Sequence, residues 1–199
     1  MKMRGIYALF LLLGMIACQT KEKPEIVTIG KAPSFTFTNQ NNQTINNETY
    51  AGMVYVVDFF FTDCPTICPV MTNNMVKIQN ELKDKNVGFA SFSINPEEDT
   101  PEVLKAYAQK KGATSANWHF LTGEVDAIYD LSNKGFNLHV EEVAGDIHRF
   151  EHSGLFALID QHGNIVSRKG KDGKPIIYYN GLNDSQVKML IEDIKSLIE

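Results

Sequence analysis

The sequence has no hydrophobic run long enough to span a bilayer, no excess of positive charge, no internal repeat and only three cysteines in 199 residues. Each absence excludes something. A spanning helix needs about 20 apolar residues, and the one extended apolar stretch, residues 6–16, falls well short of that. Lys and Arg number 19 against 24 Asp and Glu, a formal net charge of −5, so there is no electrostatic case for nucleic acid. Three cysteines cannot staple a scaffold, and a chain of this length must rest on an apolar core. The only compositional bias is an Asn/Gln-rich stretch at 39–47.

What is present begins with a targeting signal. Lys2 and Arg4 precede the apolar run, which ends in Met15-Ile16-Ala17-Cys18. A small residue before a cysteine resembles the lipobox of bacterial lipoproteins, with methionine where leucine is more usual. On this reading residues 1–17 are removed and Cys18 carries a lipid that holds the protein to a membrane of the cell envelope, facing the periplasm. An ordinary secretory signal with a chance cysteine is the alternative, and both export the protein. Cleavage before Cys18 leaves 182 residues with a formal charge of −7, enough for one domain. Residues 18–32 are polar and read as a flexible tether, and residues 33–199 as the domain.

Within that domain, residues 35–38 and 43–45 alternate around 39–42 and predict a hairpin. Residues 53–61 (MVYVVDFFF) form a nearly unbroken apolar, β-rich run, the pattern of a central strand covered on both faces. Pro69 suits the start of a helix, and Met71, Met75, Ile78 and Leu82 repeat at helical spacing. Residues 87–94 return to strand character, Thr100-Pro101-Glu102 opens a helix that stops at Gly112, and 118–121 is a short strand. A helix over 125–133, a hairpin from 155–160 and 165–168, and a final helix with Val187, Leu190, Ile191, Ile194 and Ile198 on one face complete a mixed sheet flanked by helices.

With Cys18 given to the anchor, Cys64 and Cys68 remain as a pair between a strand and a helix. Pro69 should push Cys68 out of α geometry and leave both cysteines in a loop at the helix mouth. There the helix dipole and free N–H groups favour thiolate, which improves sulfur as nucleophile and as ligand. A structural disulfide would close only a five-residue loop and constrain the unfolded chain little. Two thiolates satisfy neither structural zinc nor an iron–sulfur cluster, whereas soft sulfur with one or two further ligands suits copper. The further ligand should be a histidine among His119, His139, His148, His152 and His162. His162 reads as a turn residue and His119 as strand surface. His139 and His148 flank a polar insertion and stay open. His152 precedes a strand, with Glu151 available as an outer partner.

Four blocks in order carry a resemblance: Phe61-Thr62-Asp63-Cys64-Pro65-Thr66-Ile67-Cys68-Pro69, residues 91–101 (SFSINPEEDTP), residues 118–123 (WHFLTG), and Glu151-His152-Ser153 before a strand ending in Asp160. Together they resemble the Sco/SenC family over most of residues 33–170. The resemblance implies an α/β, thioredoxin-like three-layer sandwich with an N-terminal β-hairpin and an inserted hairpin before the fourth core strand. It implies one copper ion per chain, Cu(I) or Cu(II), on Cys64, Cys68 and His152. It further implies a metallochaperone that delivers copper to, or maintains the thiols of, the binuclear copper site of cytochrome c oxidase, whose copper-bearing subunit would be the partner. An envelope thioredoxin-like reductase would keep the Cys64/Cys68 redox pair reduced. The sequence departs from the family pattern at Glu151, where aspartate is usual, and at Asn95, which removes a charge near the site.

The main rival is an envelope thiol–disulfide oxidoreductase using the same pair. Its enzymes carry Cys-x-x-Cys and a facing cis-proline, whereas here the spacing is one residue longer and His152-Ser153 precedes the strand. A peroxiredoxin-like peroxidase places threonine three residues before its cysteine, and Thr62 is two before Cys64. A purely structural or signalling lipoprotein would need no thiols.

Overall fold

A computed structural model describes residues 23–142 and 150–199, so the signal 1–17, Cys18 and His148 lie outside the described residues. In chain order the elements are β1 (Ile26–Lys31), β2 (Thr36–Asn39), β3 (Thr44–Asn46), β4 (Val54–Phe60), α1 (Cys68–Glu81), β5 (Val87–Ser93), α2 (Pro101–Lys111), β6 (Trp118–Thr122), α3 (Val125–Asp130), β7 (Val140–Glu142), β8 (Phe150–His152), β9 (Leu155–Ile159), β10 (Asn164–Arg168), β11 (Tyr179–Asn180) and α4 (Asp184–Ile198). The main sheet runs β1-β10-β9-β4-β5-β6-β2-β3, with β11 paired to β9, and β7–β8 form a separate hairpin. β4 is parallel to β5 and antiparallel to β9. This is the mixed, thioredoxin-like arrangement the sequence predicts, with a hairpin near the N-terminus and another inserted before β9.

β4 is buried along its whole length, and its alternation feeds two aromatic clusters, one on each face of the sheet. Phe59 stacks on Phe92 and meets Phe136 edge-on. Phe60 packs on Tyr107 of α2 and Phe120 of β6. Burying each such ring contributes about 1.5–3 kcal/mol, so the strand that leads into the cysteines is firmly held on both faces. The caps also follow the sequence. Thr100 accepts from the Val103 amide, Pro101 takes the first helical position of α2, and Gly112 ends it at φ 77°, a left-handed value that glycine adopts without strain.

The expected tether through residue 32 is corrected for Ile26–Lys31, which form edge strand β1 against β10. Of its β-branched residues Ile26 and Val27 are partly buried and Thr28 and Ile29 exposed, so the flanking charges mask a strand signal that becomes decisive once a partner edge exists. β11 was equally silent in sequence, being two residues long. It matters for α4: Tyr179 Oη donates to Asp193 at 2.6 Å, and the fully buried Asp193 also takes the Arg168 guanidinium, tying the helix to the sheet. No helix among the described residues is long and apolar enough to cross a membrane.

Candidate metal centre

β4 delivers the chain into the loop that carries Cys64, and α1 begins at Cys68 itself. The expectation that Pro69 holds Cys68 outside α geometry is therefore corrected. Pro69 stands in the first turn, where its missing N–H has no intrahelical partner to lose, and that tolerance outweighs the bias on the residue before it. The helix has no side-chain cap from Ile67. The Cys68 amide instead donates to Cys64 Sγ at 3.4 Å, so a sulfur does the work usually given to a Ser or Asp oxygen. That placement favours negative charge on Cys64.

His152 arrives from the other side of the molecule, as the last residue of β8, paired with Val140 of β7. Phe61, the first residue after β4, meets both Phe150 (5.1 Å between ring centres) and the His152 ring (6.1 Å) edge-on, and so seats the hairpin on the cysteine loop. His152 Nε2 lies 3.1 Å from Cys68 Sγ, and the ligand atoms of Cys64, Cys68 and His152 all fall within 4.8 Å of one another. Among the described residues this is the one group of three or more His, Cys, Asp or Glu side chains able to hold a metal. The second imidazole nitrogen, Nδ1, faces the Ser153 carbonyl at 3.2 Å. A carbonyl only accepts, so Nδ1 carries the proton and Nε2 presents its lone pair to the sulfurs.

The two thiols are electrostatically unequal. Hydrogen bonding from the Cys68 side chain, helped by the Cys68 and Thr66 backbone, takes Cys64 down to about 3, against the opposing effect of burial. Cys68 goes the other way, because burial and the neighbouring Cys64 charge both favour its protonated form. The apo site thus holds one thiolate and one thiol. Between pH 5 and 8 the alkylation rate of Cys64 should be nearly flat, since its ionised fraction no longer changes. Replacing Cys68 with alanine removes the main donor, so Cys64 should then react more slowly at pH 6 and speed up towards pH 8. A pH-stopped iodoacetamide series read by mass spectrometry checks this, and a Cys64 rate that climbs steadily from pH 5 in the native chain would contradict the assignment.

Beneath the sulfurs, Asp58 of β4 is a buried carboxyl that accepts from Ser91 Oγ at 2.6 Å, and Ser91 in turn accepts from Trp118 Nε1 at 3.0 Å. Burial raises it to about 6, opposed by the Ser91 hydrogen bond and by His152. Sequence reasoning passed over it inside the run MVYVVDFFF, yet a lone carboxylate in an apolar strand is itself a signal. The remaining histidines do not join the site. His119 sits on β6 against Asn39 and Tyr50, and His162 lies exposed in the β9–β10 turn. His139 turns its Nε2 to Glu141 at 3.4 Å. The expected outer partner Glu151 is corrected too: it is exposed and alternates away from His152, and the Ser153 carbonyl fills that role. Asn95 is buried and donates through Nδ2 to Glu98 at 3.1 Å, which an ionised aspartate could not do.

Comparison with known proteins places this arrangement. The family model described as SCO1/SenC matches residues 25–185. A SCO1/SenC family lipoprotein from Bacillus anthracis is 35% identical, with 85% of this chain and 96% of that one covered at a TM-score of 0.75. BsSco, described as a member of the Sco family of cytochrome c oxidase assembly proteins with a disulfide switch, is 32% identical at a TM-score of 0.73, covering 87% and 97% of the two chains. ScoI of Bradyrhizobium japonicum, whose structure holds copper, shares the fold at 22% identity and a TM-score of 0.64, covering 84% and 99%.

Proposed function

This chain belongs to the SCO1/SenC family, and from that premise we propose that it carries one copper ion on Cys64, Cys68 and His152 in the service of cytochrome c oxidase assembly. The copper is cargo. It would be handed to the binuclear copper site of the oxidase's copper-bearing subunit, or the thiol pair would keep that site's cysteines reduced, or both. The observation that carries the reading is the convergence of two sulfurs and an imidazole whose tautomer is set by a backbone carbonyl. Two soft thiolates with one nitrogen favour copper over harder ions, and three donors leave room for a ligand from the acceptor during hand-over.

Copper-loaded chain mixed with the reduced apo form of an oxidase copper domain should transfer its metal, seen as the acceptor's own absorption appearing while this chain's copper content falls. Copper that stays on this chain in the presence of a competent acceptor would rule out donation and leave thiol maintenance. The same inequality of Cys64 and Cys68 supports that second role, because a ready thiolate beside a protonated partner suits attack on a disulfide and subsequent resolution. An envelope thioredoxin-like reductase would complete the cycle.

Attachment to a membrane through lipid on Cys18 belongs to the same proposal, and the description of the Bacillus anthracis relative as a lipoprotein supports it. Mass spectrometry of membrane-extracted protein should show an acylated N-terminal cysteine at position 18. A soluble mature form with a free amino terminus would remove the anchor and leave the copper site untouched.

A further inference from the structure

The cysteine loop is held mainly from outside. Its own backbone contributes a long hydrogen bond, Cys64 N to Phe61 O at 3.4 Å. Thr62, two residues before Cys64, is instead clasped by one side chain: its amide donates to Asp99 Oδ2 at 3.1 Å and its hydroxyl to Asp99 Oδ1 at 2.5 Å. Ser93 Oγ, at the end of β5, adds a third bond to Asp99 Oδ2 at 2.5 Å. Asp99 is 1% exposed, so these bonds are made away from water, where they are strongest and where their loss is most costly.

The placement of Asp99 makes the clasp specific to the cysteines. It stands just before the cap of α2, in the segment leaving β5, and Asp99 N is bonded to Asn95 O at 2.9 Å. β4 and β5 are paired to their ends, where Ile94 N donates to Phe60 O at 2.8 Å. Two segments leaving adjacent parallel strands are therefore bridged by a single carboxylate, and one of them carries Cys64. Burying a carboxylate costs desolvation that a neutral tie would avoid. In return its two oxygens take the amide and the hydroxyl of one threonine at once.

We propose that Asp99 is a positioning residue that holds Cys64 in the open, reduced arrangement and so favours the copper-ready dithiol over the Cys64–Cys68 disulfide. Both cysteines are free in this structure, and forming the disulfide requires the loop to carry the Cys64 sulfur in to bonding distance of Cys68 Sγ, from within 4.8 Å. A loop pinned at Thr62 resists that closure, and an unpinned loop does not. The proposal rests on the cysteine pair being the working site, and it is tested without copper, so failure of copper delivery and failure of the clasp are distinguishable.

The test is the midpoint potential of the pair in the full chain, titrated in glutathione buffers and read by alkylation mass shift. In Asp99→Ala the disulfide should gain at least tenfold, lowering the midpoint by about 30 mV or more. Asp99→Asn should restore most of the native value, because its oxygen can still accept from the Thr62 amide and its NH2 can donate to a reversed Thr62 hydroxyl. Thr62→Val removes one of the two donors and should move the midpoint in the same direction by less. Tyr179→Phe, which deletes a buried hydrogen bond to Asp193 of α4 and no bond to the loop, should lower the melting temperature and leave the potential unchanged. A native midpoint in folded Asp99→Ala overturns the proposal, as does an equal shift in Tyr179→Phe. Should Asp99→Ala not fold, a native midpoint in Thr62→Val overturns it.

Discussion

Serine in place of either Cys64 or Cys68 should abolish stoichiometric copper retention, with an affinity loss well beyond 100-fold. Removing a group that only orients a metal ligand already costs about 10–100-fold, and here a ligand itself is replaced by a hard, neutral hydroxyl. Among the described residues the site has three protein donors, and none of the others stands ready to replace a lost one. His152→Ala should weaken retention less, since both sulfurs remain. It should also leave the fold intact, because His152 is only partly buried at the end of a three-residue strand. His162→Ala, in an exposed turn, should change neither. Loading at neutral pH should release about one proton per copper, because Cys64 is already ionised and Cys68 is not. Equilibrium dialysis with metal analysis settles the affinities. One copper per chain retained by the Cys64→Ser, Cys68→Ser double variant would show that the ligands lie elsewhere, and undiminished affinity in His152→Ala would move the third ligand to another histidine.

The oxidised chain should bind no copper at all. Metal binding needs two thiolates, whereas oxidation joins the same two sulfurs, removes two electrons and leaves no thiolate to donate. The two states are therefore exclusive. Copper-loaded protein should resist alkylation and mild oxidation at both cysteines, and apo protein should lose both reactive thiols together. In an oxidising envelope the apo pair would drift towards disulfide unless a reductant or bound copper protects it. That gives the predicted envelope reductase its substrate. Metal analysis of diamide-oxidised protein after incubation with excess copper checks the point. Full uptake by disulfide-bonded chain would mean the cysteines are not the ligands, and disulfide exchange would then be the better account of the pair.

What the amino-acid sequence determined by itself is whatever depends on local spacing and on chemistry that a residue carries with it. The apolar run of β4, the helical repeat of Met71, Met75 and Ile78, and the Thr100 and Gly112 caps of α2 all reappear in the fold, because strand burial, helix faces and caps are set over short stretches. The paired thiols and their preference for a soft metal were legible for the same reason. The third ligand was not. His152 lies 84 residues from Cys68, and spacing left several histidines open; family resemblance singled it out, and the β7–β8 hairpin seated by Phe61 brings it to 3.1 Å. Edge strand β1, the buried Asp58 beneath the sulfurs and the Asp99 clasp on Thr62 likewise exist only through partners 33 or more residues away in the chain. Tertiary structure alone decided these, since a hydrogen bond or a pKa shift across such a distance arises from packing that no local pattern encodes.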